Sequence, residues 1–213
     1  MHNRCFIDYS VFDINISKTV FENNSGSNGG VMFFNETSHD TNGINDDKYS
    51  LNITDSIFKK NNAYYFGGAI FSNFDITHIE YYKVLNVSFI ENHAYAGGAI
   101  YLNNINNNSN NTFCELKNDN IEYEGNTATS HGKDFATSPY LIELSTNKNK
   151  KFEITSGTTF PLEFTLLDKF GQKIIDISKY YSNIILNIKN IKDDFNSDIK
   201  IVRNICYFTK GNS

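Results

Sequence analysis

Catalysis needs carboxylates, imidazoles or thiols brought to one place, so the acidic side chains are tested first. Hydrolysis of a glycosidic bond takes two carboxyl groups about 5–9 Å apart across one groove. The acids in regularly spaced segments are Glu22, Glu91, Glu122 and Glu124, with Asp46, Asp47, Asp75 and Asp134 nearby. Glu22 and Glu124 each directly follow an aromatic residue, but the two segments between them hold Lys59 and Ile90 at that position. Glu91 stands one place further on, where the preceding segment has Lys60. No two successive segments therefore offer acids in the same slot. Glu22 and Glu124, each beside an inward ring, are expected to face solvent. Asp46-Asp47 lies in an Asn/Gly-rich stretch and reads as solubilising, and Asp193-Asp194 lacks calcium-loop spacing.

The other chemical groups are equally scattered. His2, His39, His78, His93 and His131 form no HxH or HExxH pair. His93, beside Ala94, reads as a corner residue. Cys5, Cys114 and Cys206 are far apart and odd in number, with no zinc or redox spacing. They read as small buried hydrophobes, and one disulfide among them stays open. Gly67-Gly68 lacks the Lys-Ser/Thr of a phosphate loop. The expectation is a non-enzymatic chain with no catalytic residue, no metal and no cofactor. The alternative is a carbohydrate-active protein whose catalytic part lies elsewhere.

Composition narrows the class. The net charge is −5 and no basic stripe occurs, so nucleic acid is not an expected partner. No apolar run approaches the roughly 18 residues a membrane span needs. The N-terminus, MHNRCFIDYS, has no apolar core of a secretory signal, and the chain reads as an internal piece of something longer. The 32 Asn and 31 Phe plus Tyr favour turns and strands over helices. Seven Asn-x-Ser/Thr sequons occur, at Asn15, Asn23, Asn35, Asn52, Asn86, Asn107 and Asn110. Asn23 and Asn86 fall in expected core segments, where a glycan would fit poorly.

The elements that would position these groups come from a repeat. Phe21 is followed by Asn24 and then Gly29-Gly30; Phe58 by Asn61 and Gly67-Gly68; Phe89 by Asn92 and Gly97-Gly98. A looser fourth copy runs Tyr123, Asn126 and then a degraded His131-Gly132 in place of the glycine pair. Core lengths barely change while the connections do, as in a solenoid. The aromatic ends a short alternating strand, and stacked copies would file these rings through one interior. The asparagine suits a tight corner, because Asn tolerates positive φ, and its amide can bond the equivalent amide in the next copy. Ala63, Ala94 and Ala128 fit a cramped inner corner, and the glycine pair permits a close backbone approach.

The pairing of FxxN with GGA(I/V/L), as in Phe58–Asn61 with Gly67-Gly68-Ala69-Ile70 and Phe89–Asn92 with Gly97-Gly98-Ala99-Ile100, resembles the polymorphic outer membrane protein repeat of chlamydial surface proteins. Copy one departs from the pattern with Val31-Met32, and copy four with Lys133-Asp134. The resemblance covers about residues 15–138. It implies a right-handed parallel β-helix, outside the cell, used in adhesion.

From about Tyr140 the texture changes. Leu141–Leu144, Phe152–Thr155, Leu162–Leu167 and Ile184–Ile188 read as antiparallel strands, with a turn at Asp168–Gly171. The expected fold is all-β: a parallel β-helix over 1–138, then over 139–213 a small immunoglobulin-like β-sandwich, with or without its last strands. Function would lie in adhesion or display at a cell surface or in the extracellular space, with a surface protein or glycan as partner. Three inserts, Asn35–Ser50, Asn73–Lys83 and Asn103–Asn120, would project as loops. Tyr81 and Tyr82 are the candidate contact residues of the second insert, with one more strand of the core as the competing reading. The third, Asn-rich insert reads as low-complexity.

Overall fold

A computed structural model of the chain describes residues 5–7, 13–35, 50–73, 76, 81–103, 115–145, 162–181, 184–187 and 205–207. These residues are organised as strands. The first sheet holds β2 (Asp13–Ser17), β3 (Val20–Glu22), β6 (Ser50–Lys59), β9 (Tyr81–Ile90) and β12 (Ile121–Glu124). The second holds β4 (Ser25–Gly26), β7 (Asn62–Ala63), β10 (His93–Ala94) and β13 (Thr127–Ala128). The third holds β1 (Cys5–Ile7), β5 (Met32–Phe34), β8 (Ile70–Ser72), β11 (Ile100–Leu102) and β14 (Phe135–Thr137). All three sheets are parallel, and each of the four repeats gives one stretch of chain to each sheet, in the same order.

Strict register follows from the alternation of side chains. Phe21, Phe58, Phe89 and Tyr123 pair rung on rung. Their rings stack with centroids 4.9, 4.9 and 5.5 Å apart. Facing them, Met32, Ile70, Ile100 and Phe135 form a second file from the third sheet. Both files belong to one apolar core with Leu51, Ile53, Val87 and Leu102. The intervening residues of the third sheet, Phe33, Phe71, Tyr101 and Ala136, form a further file that packs in a separate aromatic cluster with Tyr181. The third sheet is thus apolar on both faces, as parallel sheets usually are.

The corners differ from expectation in one respect. Positive φ falls on the residue before each ladder asparagine: Asn23, Lys60, Glu91 and Gly125, at 53–62°. The ladder asparagines keep ordinary backbone, because their side chains are needed on the inside. A second file of positive φ, Lys18, Asp55 and Asn86, bends the strands of the first sheet midway. Gly29, Gly67, Gly97 and Gly132 all have φ near +60 to +66°, and a Cβ on any of the four would meet a backbone atom of the strand after it at under 2.5 Å.

The variable connections all leave from one corner. They run from the third sheet to the first, over 35–49, 73–80 and 103–120, whereas two residues separate each first-sheet strand from the second sheet. Most of these connections lie outside the described residues. Ile76 and Leu116, within two of them, are buried in the main core, so neither segment is wholly surface loop.

The parallel sheets end at Thr137. β15 (Pro139–Leu144) pairs antiparallel with β16 (Phe164–Asp168), and β17 (Ile185–Asn187) with β18 (Ile205–Tyr207). The strand expected at Phe152–Thr155 lies outside the described residues. Asp168–Gly171 is a turn: the Asp168 carbonyl accepts from the Gly171 N–H at 3.1 Å, and its Oδ1 accepts from Phe170 and Gln172 N–H.

Candidate functional site

Three sets of polar side chains are ordered by this architecture. The first is a ladder of Asn24, Asn61, Asn92 and Asn126. Each asparagine of the first three donates its backbone N–H and its Nδ2–H to Oδ1 of the next, at 2.9–3.0 Å. In return Nδ2–H of Asn61, Asn92 and Asn126 donates to the carbonyls of Phe21, Phe58 and Phe89. A buried carboxamide here satisfies backbone groups that no strand reaches.

The second set was not foreseen. Asn35, Asn73 and Asn103 form a further ladder after the third sheet, with Asn73 Nδ2–H donating to Asn35 Oδ1 and Asn103 Nδ2–H to Asn73 Oδ1 at 3.0 Å. Each lies six residues after the first glycine of its pair, a constant offset that could have revealed it. Copy four has Ser138 there, whose hydroxyl donates to the Asn103 carbonyl.

The third set joins the third and fourth repeats to the C-terminal segment. Asp176 accepts from Tyr95 Oη–H at 2.5 Å and from Tyr180 and Tyr181 N–H. Tyr101 and Tyr181 share a hydrogen bond between hydroxyls at 3.1 Å. Asp168 accepts from Thr137 N–H through Oδ2, and from Gln172 Nε2–H. Burial pushes its carboxyl up to about 6 against those donors. His131 is buried, and burial lowers its imidazole to about 4. Its Nε2–H donates to the Thr137 carbonyl at 2.9 Å, which leaves Nδ1 to accept from Ser130 Oγ–H at 3.0 Å.

A Ser–His pair could be read as nucleophile and base, but both side chains are buried away from any substrate and the far nitrogen is bonded to a backbone carbonyl. The pair is structural. The sequence set His131 at the first slot of the degraded glycine pair, but the register and the positive φ put Gly132 there, and Asp168 was visible only as a turn residue.

The carboxylates of the repeats do not converge. Glu22 and Glu124 are exposed. Glu22 is in register with Lys59, Glu124 with Ile90 and Glu122 with Ser88, whose hydroxyl donates to it at 3.0 Å. Glu91 makes an exposed ion pair with Lys60 at 3.7 Å. Asp46, Asp47 and Asp75 lie outside the described residues. Among the described residues no three His, Cys, Asp or Glu side chains come together as a metal site would need. The backbones of Cys5 and Cys206 lie in β1 and β18, and Cys114 is outside the described residues.

Tyr81 and Tyr82 open strand β9. Tyr82 pairs with Leu51 and packs against the main core, which is the competing reading of the two. His93 sits in β10 rather than between strands, with Nδ1 2.9 Å from Thr127 Oγ1. Asn23 and Asn86 are exposed, contrary to the expectation that their sequons are masked: their positive φ places both at bends.

No family model matches the chain, and neither a curated protein nor a solved structure does.

Proposed function

We propose that residues 13–137 are a right-handed parallel β-helix serving as a stiff, non-enzymatic display segment of an extracellular or cell-surface protein. Handedness follows the general rule for parallel crossovers. The observation that supports the reading best is the use of polar groups. Among the described residues the buried His and Asp side chains, His131, Asp168 and Asp176, are bonded within the fold, and the exposed Glu91 and Glu122 pair with Lys60 and Ser88. All variable connections leave one corner of a fixed stack, an arrangement suited to binding through loops on a rigid scaffold. The motif shared with the polymorphic outer membrane protein repeat supports adhesion as the use, with a surface protein or glycan as partner. Two antiparallel pairs, β15–β16 and β17–β18, favour an immunoglobulin-like arrangement for the C-terminal part.

A glycan array and a polysaccharide-cleavage assay on the intact chain test this. Retention of defined glycans or surface proteins without new reducing ends is expected. Release of reducing ends would replace the reading with a carbohydrate-active one.

A further inference from the structure

The last repeat departs from the other three at the positions that face onward. A Cβ at Gly30, Gly68 or Gly98 would lie 2.2, 2.0 or 2.1 Å from a carbonyl oxygen of the following repeat. Glycine at this slot is therefore what admits the next repeat. The fourth repeat has Lys133 in the slot, one place earlier than the sequence motif had set it, since Ile100 is in register with Phe135 and the Cβ of Gly98 would meet the Lys133 carbonyl. A fifth repeat in the same register would meet the Lys133 Cβ.

Most of the third-sheet backbone groups that a fifth repeat would bond are already used. In the third sheet the Ile100 N–H donates onward to Asp134 O, and the Ser72 carbonyl accepts from Asn103 N–H of the following repeat. Alternation along a parallel strand then gives β14 four onward-facing groups, the N–H and carbonyl of Phe135 and of Thr137, and side chains meet three of them: the Phe135 carbonyl, the Thr137 N–H and the Thr137 carbonyl. Gln172 Nε2–H donates to the first at 2.9 Å, Asp168 Oδ2 accepts from the second at 3.2 Å, and His131 Nε2–H donates to the third at 2.9 Å. The asparagine ladder ends in the same way, with Asp134 Oδ1 accepting from Asn126 Nδ2–H at 3.1 Å where another asparagine would stand. The Phe170 ring meets Phe135 edge-on at 5.2 Å and packs against the core, closing the apolar interior.

We infer that the 168–172 turn, with His131, Lys133 and Asp134, is a cap that imitates a fifth repeat and bars a second copy of this chain from adding to this end of the stack. Unpaired strand edges invite such addition. The cap answers it with side chains in place of a strand.

Amide exchange on the intact wild-type chain tests the cap first. Thr137 N–H should exchange at least roughly 100-fold more slowly than an exposed amide, as interior strand amides do. Exchange at the rate of exposed amides would overturn the inference, whatever the variants do. The double variant Asp168→Ala with Gln172→Ala should expose the edge. Its mean mass by light scattering should exceed that of the wild type at equal concentration, and further adding Lys133→Gly should raise it again. Lys169→Ala, on the same turn, should match the wild type. A double variant that keeps the wild-type circular dichroism and the wild-type mass at every concentration would also overturn it.

Discussion

Asn92 is a residue whose side chain completes the bonding of two neighbouring repeats at once. Its Oδ1 accepts from Asn61, and its amide serves both the Phe58 carbonyl and Asn126. Asn92→Ala leaves several buried partners unmet, so a loss of about 3 kcal/mol is expected in urea unfolding. Asn24→Ala, at a half-buried site, should cost closer to about 1 kcal/mol. Equal costs would show that the ladder is not cooperative with burial. Tyr123 stands in the phenylalanine file, and its buried hydroxyl has no partner. Tyr123→Phe should therefore stabilise by about 1 kcal/mol, and a loss of that size would reveal a bond to the hydroxyl. His131 and Asp168 pull in opposite directions with pH. The His131 pKa falls from 6.5 to about 4 on folding, so its contribution is complete above 6.5 and is lost as pH drops toward 4. The Asp168 pKa rises from 3.8 to about 6, so its contribution is complete below 3.8 and is lost as pH rises through 6. His131→Gln leaves the second effect alone: relative to wild type, its urea midpoint should gain on acidification from pH 7 to 4. A constant offset across that range would contradict the buried neutral imidazole.

At the scale of strands and corners, the spacing of Phe, Asn and Gly-Gly made the repeat legible, because each of those residues answers a backbone demand that recurs. Corner geometry was less legible. Positive φ falls on Asn23, Lys60, Glu91 and Gly125, residues of four kinds, so composition could not reveal it. The second ladder, Asn35–Asn73–Asn103, was hidden by the abundance of asparagine around it. The C-terminal contacts were illegible for a different reason: Asp176 and Tyr95 are far apart in sequence and belong to no shared pattern. Lys60→Gly relieves a left-handed backbone and gives up only an exposed ion pair. It should change stability by no more than about 1 kcal/mol, whereas Gly68→Ala, whose Cβ would lie 2.0 Å from the Gly98 carbonyl, should prevent stable folding. Thermal melting of the two variants side by side checks the pair, and a well-folded Gly68→Ala would refute the close approach.

Over the whole molecule, four repeats share one interior, with like residues filed above like, and a C-terminal segment is pinned to the fourth of them by Asp168 and to the third by Asp176. That organisation holds the scaffold residues in register and frees the connections at one corner from it, which is why the scaffold could be read from sequence and a ligand could not. Everything depends on the register between repeats. The most direct measurement is cross-linking of outward pairs, with the native cysteines replaced. Ser88→Cys with Glu122→Cys are rung partners and should oxidise to an intramolecular disulfide in the native state. Ser88→Cys with Glu124→Cys, two places out of register, should not. Equal oxidation of both pairs, or of neither, would contradict the stacked arrangement.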